Sequence, residues 1–117
     1  MDNFREYRAK NRNKEWVYGS LVFDGSFCRI YQDNLICHDV ISSTVGQWTG
    51  LCDKNDTKVY EGDLIRDGNE LFVVAFNAPQ FCAKEIDKNI FYLLSLKENI
   101  EVVGNIYDDY WILDLEW

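Results

Sequence analysis

Glu61-Gly62-Asp63-Leu64-Ile65, a polar step at Gly68-Asn69, and then Leu71-Phe72-Val73-Val74 form the stretch on which the fold turns. Gly62 lets the chain bend sharply, and Asp63 can cap the bend by accepting from nearby backbone N–H groups. The apolar runs on either side of Gly68-Asn69 are β-branched and aromatic, the chemistry of a half-buried pleated surface. This pattern predicts a hairpin inside a small β-barrel. Downstream, Asn77-Ala78-Pro79 breaks the run, and residues 81–86 alternate Phe81, Ala83 and Glu85 against Cys82, Lys84 and Ile86. Residues 90–96 are a continuous apolar stretch, read as a buried strand or a single helical turn. Residues 101–107 read as a last strand, with Gly104 as a bulge or a close approach. Upstream, Trp16, Tyr18, Ser20 and Val22 alternate with Val17, Leu21 and Phe23, and Asp24-Gly25 then separates them from residues 27–31. Asp-Gly between two apolar runs is a strong hairpin signal. In the tail, Tyr107, Trp111 and Leu115 are spaced four apart, which permits a short C-terminal helix.

A chain of 117 residues with 47% hydrophobic residues can bury a core without disulfides. Twelve basic residues against 20 acidic ones leave a net charge of −8. Such a surface repels phosphate backbones, so direct nucleic-acid binding is not expected. The densest basic stretch, Arg5, Arg8, Lys10, Arg12 and Lys14, is interleaved with Glu6 and Glu15 and reads as a solvated segment. The N-terminus lacks the apolar core of a secretory signal. No stretch reaches the ~20 apolar residues needed to span a bilayer. The expected location is therefore the cytoplasm, with Cys28, Cys37, Cys52 and Cys82 reduced and no membrane partner.

Three segments stand out together. The first is Arg8-Ala9-Lys10 followed by Glu15-Trp16-Val17-Tyr18-Gly19. The second runs from Thr44-Val45-Gly46-Gln47-Trp48-Thr49-Gly50-Leu51 through Asp53-Lys54-Asn55 to Val59-Tyr60-Glu61-Gly62-Asp63-Leu64-Ile65. The third is Val103-Gly104-Asn105-Ile106-Tyr107. In this order and spacing they resemble the YopX family of phage and prophage proteins. Where the family usually has glycine after Asp-Lys-Asn, this chain has Asp56, which tolerates a left-handed backbone better than most residues. The resemblance implies an SH3-like small β-barrel in the C-terminal part, a tendency to self-associate, and no established catalytic activity. The expected layout is one domain over 1–117: a hairpin region at 1–43, the barrel at 44–107, and an acidic aromatic tail at 108–117.

Candidate chemistry is thin. Cys37, His38, Asp39 and a distant cysteine are possible metal ligands, but zinc sites want paired spacings. Successive residues of an extended chain also point to opposite faces. A cysteine nucleophile would have only His38 as a base. Asp53, Glu61 and Asp63 could serve as a carboxylate pair; the alternative is turn stabilisation by Asp53 and Asp63 and a local ion pair at Glu61. No catalytic residue, metal or cofactor is assigned. Trp16, Tyr18, Trp48 and Tyr60, with Trp111 and Trp117 in the tail, are the candidate binding residues. Each is open to a core or subunit-contact role instead. Gly50, Asp53, Gly62 and Asp63 are the candidate structural turn residues.

The expected function is a non-enzymatic accessory protein that binds a second copy of itself and a host or phage protein. Alternatives are an acidic inhibitor that mimics DNA before a host nucleic-acid enzyme, and a nucleotide-sequestering protein with a pocket of Trp and Tyr.

Overall fold

The computed structural model describes residues 6–86, 88, 90–94 and 99–109. The chain is mainly β and divides into two compact units, Met1–Trp48 and Thr49–Trp117. Among the described residues no helix is long and apolar enough to cross a membrane.

The first unit is an antiparallel sheet. Its strands are β1 (Tyr7–Lys10), β2 (Trp16–Asp24), β3 (Phe27–Tyr31) and β4 (Cys37–Asp39). They lie in the order β4-β3-β2-β1, and β1 then pairs the start of β5 (Gly46–Cys52). One 3₁₀ turn, Ser42–Thr44, precedes β5. The hairpin expected at residues 16–32 is present, with Asp24 opposite Phe27. Its central pair is Gly25-Ser26, and only Gly25 has positive φ, at 64°. That is the II′ pattern, with glycine first, and not the I′ turn that Asp-Gly suggests. Gly19 is obligatory for a different reason: a Cβ there would run into the Tyr31 carbonyl. Ala9, Val17, Cys28, Ile30 and Val40 cluster on one side of this sheet, with Tyr7, Leu21 and Val45 packed around them.

The second unit begins within β5, which there pairs β6 (Lys58–Tyr60). It continues with β7 (Asp63–Asp67), β8 (Glu70–Asn77), β9 (Gln80–Glu85), β10 (Phe91–Leu93) and β11 (Glu101–Asn105). These last five form one antiparallel sheet in the order β10-β9-β8-β7-β11. The β7–β8 turn is again of II′ pattern, with Gly68 at φ 66° before Asn69. The β8–β9 turn runs through a cis Ala78–Pro79 bond. Val59, Ile65, Phe72, Val74, Ala83, Leu94 and Ile100 form the core.

Two further expectations change here. The barrel expected over 44–107 is not closed among the described residues: β5 and β6 pair into the sheet of β1 to β4, and β7 to β11 form a separate open sheet. It ends on β10, which is three residues long, and on β11, whose register shifts between Val102 and Gly104. The bulge at Gly104 was itself legible. Residues 90–93 are not a buried strand but an exposed edge strand and its entry; Leu94 is buried, and residues 95 and 96 of that stretch lie outside the described residues. The expected C-terminal helix lies outside the described residues.

Candidate functional site

The register of the first unit sorts its side chains into two faces. Arg8 stands opposite Tyr18, and Lys10 opposite Trp16. Ser20 stands opposite Tyr31, and Val22 opposite Arg29. Arg29 in turn faces Asp39. Directly opposed residues share a face, so Trp16, Tyr18, Val22, Phe27, Arg29 and Tyr31 all lie on the side away from the Ala9–Ile30 cluster. Gly46 stands opposite Arg8, which places Trp48, two residues on, on this face as well.

At the β1 end of this face the ring of Trp16 meets two cations. The Arg8 guanidinium carbon sits 4.5 Å from its centroid and Lys10 Nζ 5.3 Å. Such contacts are worth about 0.5–2 kcal/mol, more when desolvated. Arg8 is only 6% exposed. The solvated reading of the basic stretch therefore fails at Arg8, because a guanidinium is weakly hydrated and stacks well on an aromatic ring. Arg12 and Lys14 are exposed, in a turn closed by Asn11 Oδ1, which accepts from the Asn13 and Glu15 backbone N–H groups at 2.9 Å each.

At the β4 end the face is open. Tyr18 is 44% exposed, Val22 40%, Phe27 54% and Tyr31 36%. The charge there is balanced: Arg29 Nε donates to Asp39 Oδ1 at 2.9 Å. That hydrogen bond, with the Asp39 charge, raises the Arg29 pKa. A shallow concavity of about 380 Å³ is lined by Ser20, Val22, Tyr31, Gln32, Asp33 and Asn34.

The turn residues sit in the second unit. Asp53 Oδ1 accepts from Asn55 N at 2.8 Å and Thr57 N at 2.9 Å, and Oδ2 accepts from Val102 N at 2.9 Å. Burial pushes its pKa up, but the N–H groups of Val102, Thr57 and Asn55, with the Lys54 charge, outweigh this and hold it below the usual carboxylate range. Asp56 takes the left-handed φ of 66° expected of it. Asp63 is buried, and its Oδ2 accepts from Tyr60 N at 2.7 Å. Gly62 has φ 94°, and a Cβ there would meet Tyr107 Cε2 at 3.0 Å. Gly50 also has positive φ, at 87°, but faces open space. Thr49, Leu51, Gln80, Phe81, Leu93 and Leu94 line a groove of about 490 Å³ in this unit.

Of the six candidate aromatic residues, the structure brings Trp16, Tyr18 and Trp48 to one sheet face. Tyr60 is buried in β6, and Trp111 and Trp117 lie outside the described residues. Cys37 stands opposite Tyr31 and His38 opposite Ile30, so the two point to opposite faces. His38 Nε2 lies 3.2 Å from Gln32 Oε1. Among the described residues, no three of His, Cys, Asp or Glu are grouped to hold a metal. Cys28 and Cys82 are buried and Cys37 and Cys52 exposed, all as free thiols. Burial pushes the Cys28 thiol pKa up, away from the thiolate a nucleophile needs. Phe27 and Tyr31 were missed as surface residues. The same period of two that places Trp16, Tyr18 and Val22 together places Phe27, Arg29 and Tyr31 together, and the Asp24-Gly25 turn joins the two sets.

No curated protein matches the chain. A family model described as YopX protein matches residues 6–114. That match spans both units, so the chain belongs to the YopX family.

Proposed function

We propose that this chain is a non-enzymatic phage or prophage accessory protein that acts by binding, in the cytoplasm of a bacterial host. It self-associates and engages a host or phage protein. The observation that carries the reading is the exposure of Tyr18, Val22, Phe27 and Tyr31 on one sheet face. Large apolar side chains gathered on one face of a soluble domain mark an interaction surface. The state of the carboxylates also supports it. Asp53 and Asp63 already accept from backbone N–H groups, which suits turn-building and not acid–base chemistry.

For the second unit we propose the SH3-like arrangement. A four-strand meander, β7 to β10, whose following strand β11 returns to pair β7, has the strand order of a small five-stranded barrel.

The test combines the mass of the intact assembly with affinity capture from host lysate. The expected result is a particle heavier than one chain, with one host or phage protein retained. A strict monomer that retains nothing overturns the reading.

One observation favours a second reading. Residues 1–48 carry six basic and six acidic residues, whereas residues 49–117 carry six basic and fourteen acidic, so the entire −8 resides in the second unit. A concentration of carboxylates suits an acidic mimic of DNA. Retention of a basic nucleic-acid enzyme on the immobilised chain, released by moderate salt, would favour that reading.

A further inference from the structure

We infer that residues 110–117 of this same chain cover the groove of the second unit lined by Leu51, Phe81 and Leu93, with Leu115 and Trp117 set into it. This does not rest on the self-association proposed above. It assigns the aromatic tail to its own unit and not to a partner.

The register puts the groove and the start of the tail at one end of the sheet. Asn105, the last residue of β11, stands opposite Asp63. Leu64 stands opposite Val73, so Asp63 is level with Val74. Val74 stands opposite Ala83, and Ala83 opposite Tyr92. One row therefore runs from Asn105 to Tyr92. β11 and β10 point the same way and both leave the sheet beyond that row, on the side where Gln80, Phe81 and Leu93 line the groove. After Asn105 the chain is pinned back on β11. Asp109 N donates to Asn105 O at 2.9 Å, and Asp109 Oδ2 accepts from Asn105 N at 3.1 Å. The tail thus sets out from a fixed point.

The length is sufficient. Four strand-to-strand steps separate β11 from β10, roughly 19 Å along a flat sheet. The direct path is shorter, because Leu94 after β10 and Ile100 before β11 join one core cluster. Eight extended residues span up to about 26 Å. The tail reaches the groove with its last residues, Leu115 to Trp117.

The chemistry of the two surfaces matches. The groove side chains, Thr49, Leu51, Gln80, Phe81, Leu93 and Leu94, carry no charge, and Leu51 and Leu93 are exposed. Six of the eight tail residues are apolar. Along an extended chain Trp111, Leu113, Leu115 and Trp117 fall on one side, and Tyr110, Ile112, Asp114 and Glu116 on the other. The charge-free side can meet the charge-free groove while both carboxylates stay in water. The tether selects the occupant: a segment attached to the same unit competes at an effective concentration on the order of millimolar, which a separate peptide must exceed.

The experiment is limited proteolysis of the full chain by chymotrypsin, with cleavage after Trp111 and Leu113 followed by mass. A seated segment resists a protease that an exposed one does not. A free peptide of residues 105–117 sets the unprotected rate, and far-UV circular dichroism reports whether each variant is folded. The expected result is wild-type cleavage at least tenfold slower than in the peptide. Leu115→Lys and the groove variant Leu51→Ser should each speed it at least threefold, and Phe27→Ser in the first unit should leave it unchanged. If Leu51→Ser does not fold, Leu93→Ser takes its place. Wild-type cleavage at the peptide rate overturns the inference. Protection indifferent to the groove variant overturns it by placing the tail elsewhere. Protection lost on dilution gives the groove to the tail of another copy and overturns it likewise.

Discussion

The two units spend their residues differently. The first packs small and medium side chains, Ala9, Val17, Cys28, Ile30 and Val40, on one side of its sheet and leaves aromatic and aliphatic residues exposed on the other. The second encloses a larger ring, Phe72, which meets Tyr92 edge-on at 5.7 Å and 85°, together with Ile65, Leu94 and Ile100. It also buries carboxylates whose oxygens bind backbone N–H groups. The second also leaves Ile90, Phe91, Tyr92 and Leu93 exposed, but along a sheet edge and its entry and not across a sheet face.

The comparison is broken most severely by hollowing the second core. Phe72→Ala should cost about 3–5 kcal/mol in urea unfolding. A loss below about 1 kcal/mol would show that this ring does not hold the unit. Ile30→Ala in the first unit should cost about 2–4 kcal/mol, and a larger loss than Phe72→Ala would reverse the ranking of the two cores. Asp53→Asn comes next, at about 2–3 kcal/mol, because hydrogen bonds to a charged acceptor are each worth more than neutral ones. Its pH dependence has a definite sign. The folded Asp53 pKa lies below the unfolded value, which is about 3.9. The contribution is therefore complete at neutral pH and is lost as pH falls below about 4 through the folded value. The stability difference between wild type and Asp53→Asn should shrink over that range, and a constant difference would assign the effect to packing. Trp16→Leu should cost only about 1 kcal/mol, chiefly through the lost contacts with Arg8 and Lys10. The smallest effect concerns salt. If the net charge opposes self-association, added salt should tighten it modestly, and weakening by salt would point to an ionic seam.

What could be read in advance was local chemistry. The turns at Gly25 and Gly68, the left-handed Asp56 and the bulge at Gly104 depend on residues adjacent in sequence, and all were legible. Asp53 and Asp63 were legible as turn residues for the same reason, although the bond from Val102, 49 positions away, was not. What escaped depended on strand order. An apolar run such as residues 90–94 is core or edge according to which strand lies beyond it, and β10 has none among the described residues. Arg8 is buried with its guanidinium over the ring of Trp16, diagonal to it across the β1–β2 ladder, and nothing within β1 announces it. The strand at Cys37–Asp39 is short and polar, and only its pairing with Arg29, Ile30 and Tyr31 makes it a strand.

The return of β11 to β7 has a consequence for synthesis. Ile100 completes the apolar ring, and Val102 supplies the third bond to Asp53. A ribosome extending this polypeptide therefore finishes both the first strand of the meander and the 53–57 turn only once residues 100–105 have been added. Until then Leu64 and Ile65 have no partner on that side. Such long sequence separation makes closure slow relative to the local hairpins. The nascent second unit must pass through a stage in which β7 waits, unpaired on one side, for β11.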